Sequence, residues 1–172
     1  MIKSLTKQEL LKKCQIIKLV LTDVDGVLTD GGMYFSENSE SLKKFNTRDG
    51  MGVELLLKKN VKTILISREN SKITKQRGKK IKAAATYVNI KNKEAQFQKI
   101  CKKFGLKKNE IAYIGDDVND IEIMKLVGLS ASPFDSIDEV KSIAHYVCSL
   151  SGGHGAFREF ANLIISAKEY RK

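Results

Sequence analysis

Short runs of apolar residues recur along this chain, each separated from the next by a stretch with helical periodicity, and no other feature restricts its fold as much. The runs are Ile16 to Thr22, Thr63 to Ser67, Thr86 to Val88, Ile111 to Ile114, Leu129 to Ala131 and Tyr146 to Cys148. Runs this short and this continuously apolar suit strands buried on both faces of a parallel sheet, and parallel strands need crossovers that are usually helical. Between them the periodicity predicts helices near 49–59, 71–80, 92–104, 118–127, 135–144 and 156–167, with Gly105 and Gly128 as stops. Thr6 and Glu9 have the spacing of a capping box and predict a first helix over about 6–14. The expectation is an α/β fold, a doubly wound parallel sheet that binds its ligands beyond the carboxyl ends of the strands.

One segment departs from the alternation. Residues 31–45 alternate apolar and polar side chains around Ser36-Glu37-Asn38-Ser39, which predicts a small β-hairpin flap projecting from the sheet edge. That flap and one helix fill the interval between Asp25 and Ser67, so no separate cap domain is expected. A length of 172 residues fits one domain, 1–172, closed by a C-terminal tail and helix over about 151–168. Lys plus Arg number 31 against 20 Asp plus Glu, a formal charge of +11 that draws anions in general. The cations are scattered as KK and KxK pairs, without an arginine-rich arm or an aromatic ladder, so nucleic-acid binding is not expected. Cys14, Cys101 and Cys148 are too widely spaced for a disulfide framework or a zinc site and read as buried thiols of a reducing compartment. With neither a signal-peptide run nor a membrane-length apolar run, the expected location is the cytoplasm, without a membrane partner.

Two acidic clusters follow two of the most apolar runs: Asp23-Val24-Asp25-Gly26 after the first, and Gly115-Asp116-Asp117-Val118-Asn119-Asp120 after a later one. Parallel strands bring both to one sheet edge, where the carboxylates repel one another unless a hard cation neutralises them. Carboxylate and carbonyl oxygens are the donors that Mg2+ prefers. Either cluster alone is also explained by polar turns and helix caps; two clusters at two strand ends are harder to explain in that way. Ser67 closes one strand and Lys93 opens one helix. Singly they read as a cap and a surface lysine, but a hydroxyl and an ammonium are also what the oxygens of a phosphoryl group require.

The order DxD, Ser, Lys, GDDxxD, carried here by Asp23/Asp25, Ser67, Lys93 and Asp116/Asp117/Asp120, resembles the haloacid dehalogenase superfamily. More narrowly, DVDGVLTDG (23–31), FNTRDGMG (45–52), IGDDVND (114–120) and GGHGAFRE (152–159) resemble the 3-deoxy-D-manno-octulosonate 8-phosphate phosphatase family, over roughly residues 16–165. The resemblance implies a magnesium-dependent phosphatase working through an aspartyl phosphate. Asp23 is then the nucleophile and Asp25 the general acid and base, with Ser67 and Lys93 on the phosphoryl oxygens. Mg2+ is held by Asp23, the Asp25 carbonyl and Asp116, while Asp117 and Asp120 orient metal-bound water and Lys93. It also implies a homotetramer in which a glycine-rich segment, here Gly152, Gly153, His154, Gly155 and Arg158, reaches a neighbouring site. The implied substrate is a phosphorylated 3-deoxy-2-keto sugar acid, with Arg48 and Arg68 as partners for its carboxylate. Ser67-Arg68-Glu69, with Lys80 eleven residues on, looks like the relatives that act on nonulosonate (acylneuraminate) 9-phosphates. The product would serve lipopolysaccharide or a sialic-acid-like glycan. The alternative is a non-catalytic, phosphatase-like oligomerisation module associated with sialic-acid activation; the intact Asp23, Asp25, Lys93 and Asp116 argue against it.

Overall fold

The structure, a computed structural model, describes residues 5–37 and 40–170. Thr6 caps the first helix, α1 (Lys7–Ile16), through the reciprocal bonds expected of a capping box. There follow β1 (Leu19–Thr22), β2 (Tyr34–Phe35), β3 (Glu40–Leu42), α2 (Thr47–Lys58), β4 (Lys62–Ile66), α3 (Lys72–Lys80), β5 (Ala85–Tyr87) and α4 (Lys93–Phe104). The chain continues through β6 (Ile111–Ile114), α5 (Ile121–Leu126), β7 (Leu129–Ser132), α6 (Asp138–Ile143), β8 (Tyr146–Val147) and α7 (Ala156–Glu169).

Six strands form one parallel sheet in the order β5-β4-β1-β6-β7-β8. The chain builds outward from β1 through β4 to β5, then returns to the other side of β1 for β6, β7 and β8. The order therefore reverses at β1, and a crevice opens beyond its carboxyl end, where such sheets bind ligands. Both faces are covered, as the continuous apolar runs require. Val20, Leu65, Ala112 and Ile114 pack with Cys14 of α1, Val53 and Leu56 of α2, and Phe157, Phe160 and Ile164 of α7. Leu19, Leu21, Ile64, Ile66 and Tyr113 point the opposite way, onto Phe97 and Ile100 of α4, Ile123 of α5 and Val140 of α6. This is the doubly wound α/β sheet that the alternation predicts.

Local differences have local causes. The first strand begins at Leu19 because α1 runs on to Ile16 and Ile17 closes it. The helix predicted over 118–127 is a 3-10 turn, Val118–Asp120, followed by the short α5, because the Asp120 carboxylate bends the turn back onto its own backbone. The helix predicted from 135 begins at Asp138: the Asp135 side chain accepts from the Gly152 N–H at 2.9 Å, and Ser136 bonds the Pro133 carbonyl. In the flap, β2 and β3 pair antiparallel as a separate two-stranded sheet; residues 38 and 39 of the predicted turn lie outside the described residues. Cys14 and Cys148 are buried, whereas Cys101 is half-exposed, and all three are free thiols. Among the described residues no helix is long and apolar enough to cross a membrane.

Candidate active site

The loop after β1 carries Asp23 and Asp25 into the crevice at the switch point. The Asp23 N–H still bonds the Ile114 carbonyl at 3.0 Å, so the residue is held as an extension of the strand, 5% exposed. Gly26 then takes φ +88°, a conformation that side chains disfavour. A Cβ there would lie 2.0 Å from Oδ2 of Asp116, so only glycine lets the two acidic loops approach this closely. Behind them, Gly152 packs against the Gly26 carbonyl, where a Cβ would fall at 1.9 Å, and the Gly153 N–H bonds the Val27 carbonyl. The glycine-rich segment thus braces the 23–26 loop of its own chain, while His154 remains exposed.

Lys93, the first residue of α4, is 3% exposed. Its ammonium lies 2.9 Å from Oδ1 of Asp23 and 2.6 Å from Oδ1 of Asp120, and also donates to Asn119 at 3.2 Å. Burial by itself lowers the pKa of a lysine, but the Asp23 and Asp120 carboxylates more than reverse this, and Lys93 is held charged. The carboxylate oxygens of Asp23, Asp116 and Asp120 come within 4.8 Å of one another. Asp120 is already saturated. Its Oδ1 accepts from Lys93 and from the Tyr113 hydroxyl at 2.5 Å, and its Oδ2 accepts from the N–H groups of Asp116 and Asp117 at 2.9 and 3.3 Å.

Asp116 is different, because its Oδ1 is buried without a hydrogen-bond partner. A buried carboxylate oxygen left unpaired is costly, and a hard divalent cation is the kind of group that would satisfy it. Burial, then repulsion from Asp23 and Asp120, pushes the Asp116 carboxyl up to about 8. Burial and Asp120 raise Asp23 to about 7, against the pull of Lys93. The donor set therefore fits a divalent metal held between Asp23 and Asp116.

Both folded-state pKa values lie above the ordinary carboxyl value of 3.8. The metal-free native state thus binds protons that the unfolded chain has already released, and its stability falls as pH rises toward 8. Thermal unfolding in chelator should show the melting temperature falling from about pH 6.5 to 8.5, and falling less in Asp116→Asn. Divalent metal, which binds the ionised carboxylates, should offset the fall. A melting temperature that rises over this window would contradict the assignment.

Across the pocket stands Ser67, immediately after β4 and fully buried. Its hydroxyl donates to Oδ2 of Asp25 at 3.2 Å and accepts from the Glu69 N–H at 3.1 Å. Arg68, Glu69 and Asp117 join Asp23, Asp25 and Asp116 around one hollow of about 230 Å³. The Asp117 carboxylate caps the 3-10 turn by accepting from the Val118 N–H. The other candidate contacts lie apart from this hollow. Lys80 lines a separate depression between α2 and α3 with Arg77, while Arg48 and Arg158 share a third one beside α7.

Three contributors escaped the sequence reading. Tyr113 was placed only within an apolar strand, although its hydroxyl bonds Asp120; a lone tyrosine in an aliphatic strand needs a partner for its O–H, and that was the available signal. Lys43 bonds Oδ1 of Asp25 from the flap, with its side chain 1% exposed. Asp49 shares the buried stripe of α2 with Gly52, Val53 and Leu56. It accepts from the Arg158 N–H at 2.9 Å, capping α7, whose N-cap residue Gly155 has no side chain to do so.

Known proteins resemble this chain in sequence and in fold. The family model for haloacid dehalogenase-like hydrolases matches residues 9–158. The chain is 35% identical over 156 residues to the 3-deoxy-D-manno-octulosonate 8-phosphate phosphatase KdsC of Salmonella typhi, covering 91% of this chain and 83% of that protein. The cobalt-bound deoxy-D-mannose-octulosonate 8-phosphate phosphatase of Haemophilus influenzae superposes with a TM-score of 0.89 at 34% identity, covering 91% and 92% of the two chains. The Moraxella catarrhalis 3-deoxy-D-manno-octulosonate 8-phosphate phosphatase, solved with magnesium, phosphate and KDO, superposes with a TM-score of 0.92 at 27% identity, covering 95% and 94%.

Proposed function

This chain belongs to the haloacid dehalogenase-like hydrolases, and from that premise we propose that it is a magnesium-dependent phosphatase that removes the terminal phosphate of a 3-deoxy-2-keto sugar acid. The observation that carries the reading is the meeting of Asp23, Lys93 and the unpaired Asp116 oxygen at the switch point, facing Ser67 and Asp25. These groups answer the separate needs of a phosphoryl transfer: a nucleophile, a metal seat, donors for the phosphoryl oxygens, and an acid and base. A site retained only as an oligomerisation module would gain nothing from three crowded carboxylates, and this disfavours the non-catalytic alternative.

In this reading an Asp23 oxygen bonds to phosphorus as the bond to the sugar oxygen breaks, and Asp25 delivers a proton to the departing oxygen. Asp25 then takes a proton from water as the water oxygen attacks phosphorus, freeing Asp23 and inorganic phosphate. Ser67 and Lys93 hold phosphoryl oxygens throughout, and Asp120 keeps Lys93 in place. The Asp23 and Asp116 carboxylates and the Asp25 carbonyl would hold Mg2+. When bound, the ion supplies charge neutralisation for the phosphoryl group.

The relatives favour octulosonate 8-phosphate as substrate. Glu69 at the mouth of the hollow favours a nonulosonate 9-phosphate as the second reading. Phosphate release from the two esters, side by side in magnesium, decides between them. Preference for the octulosonate is expected; preference for the nonulosonate would assign chain-length reading to Glu69, and release from neither would remove the substrate class. A homotetramer and a cytoplasmic setting complete the proposal. They are supported by the exposed apolar flap residues Tyr34, Phe35 and Leu42 and by the three free thiols.

A further inference from the structure

Lys43 follows β3 in a flap whose neighbouring side chains face solvent: Phe35 is 67% and Leu42 64% exposed, and the Lys44 side chain is 57% exposed. The Lys43 side chain is 1% exposed, with its ammonium on Oδ1 of Asp25. An ammonium is driven out of water only where a partner compensates it. A surface hairpin has no need of a buried lysine for its own folding, so the residue is placed for what it touches. Asp25 is held at both oxygens, by Lys43 at Oδ1 and by the Ser67 hydroxyl at Oδ2.

We propose that Lys43 is the positioning residue for Asp25, and that it assigns the transferable proton to Oδ2. The inference rests on the phosphatase reading above. When the Ser67 hydroxyl turns to a phosphoryl oxygen, Oδ2 is released and Lys43 remains on Oδ1, keeping the carboxyl aimed. The proton then passes from Asp25 Oδ2 to the leaving sugar oxygen as that oxygen parts from phosphorus and the Asp23 oxygen bonds to it. In the second half, water returns a proton to the same Oδ2 while its oxygen displaces Asp23. The flap thus sets the aim of the acid and base from outside the sheet.

The test is Lys43→Met, which keeps the length of the side chain and removes its charge, measured with two kinds of leaving group. An alkyl phosphate such as octulosonate 8-phosphate needs the proton, whereas p-nitrophenyl phosphate loses its phenolate without one. For the alkyl ester, kcat should fall about 10- to 100-fold with KM little changed, the loss expected when a catalytic group is misaimed by about an ångström. The pre-steady-state burst of p-nitrophenolate should keep its wild-type rate, which also shows that the variant is folded. Lys43→Arg, which restores the charge, should recover part of the loss. An equal loss with both leaving groups, or no loss with either, overturns the assignment. Wild-type protein inert toward octulosonate 8-phosphate but active on other alkyl phosphates overturns only the substrate, and the Lys43 comparison is then read on those esters. Wild-type protein inert toward every phosphate ester overturns the phosphatase reading and this inference together.

Discussion

Asp23→Asn should abolish turnover, by at least about four orders of magnitude, while leaving a protein that folds and melts normally. An amide at this position keeps the size of the side chain and can still accept from Lys93, but it cannot form an acyl phosphate. The substitution also removes one of the carboxylates that repel Asp116. Metal-free Asp23→Asn should therefore be no less stable than wild type at about pH 8, where repulsion in the native site is greatest. Lys93 keeps Asp120 at 2.6 Å as its counter-ion, so no buried charge is stranded. Steady-state phosphate release together with thermal melts checks both halves. Substantial residual turnover would remove Asp23 as nucleophile, and a collapsed melting temperature would make it a structural residue instead.

The second large effect is expected from Lys93→Met, which is the opposite case. Removing the ammonium leaves Asp23 and Asp120 buried without their shared cation, with Asp116 close by. Breaking a buried charge network by deleting one partner costs about 3–5 kcal/mol. The cost should be larger at alkaline than at mildly acidic pH, because protonation of the crowded carboxyls relieves the repulsion. Activity should fall by about 10²- to 10³-fold or more, since a preorganised donor to the phosphoryl oxygens is lost. Denaturant melts at two pH values distinguish this from a surface lysine, whose loss would cost little at either.

Much of the sheet was legible because its signal is local. A run such as Ile111 to Ile114, short and bounded by turn residues, reads as a doubly covered strand, and it pairs parallel with β1. The acidic pair was legible for the same reason: strand ends of a parallel sheet share an edge, so Asp23 and Asp116 had to lie on one edge, and the pairing of β1 with β6 brings them together. The contacts of Lys43 and Asp49 depend on how a flap and two helices approach the sheet, and no spacing in the chain encodes that. Asp49 was half-legible, standing at the head of a 49, 52, 53, 56 stripe where an apolar residue belongs. The first turns of the helices predicted near 118–127 and 135–144 were lost to side chains that bond backbone groups, Asp120 within its own loop and Asp135 at the distant Gly152. Lys80 is paired with Glu69 by sequence spacing, but α3 places it with Arg77 in a depression separate from the Asp23 hollow.

The central claim is that phosphate passes through Asp23. The most direct measurement uses Asp25→Asn, which should accept a phosphoryl group from an activated donor and then fail to release it, because the base for water is gone. Given acetyl [32P]phosphate and magnesium, then quenched in acid, this variant should carry about one label per chain, released by hydroxylamine and mapped to the peptide containing Asp23. Label on another residue, or no protein-bound label while wild type still turns over, would contradict the account.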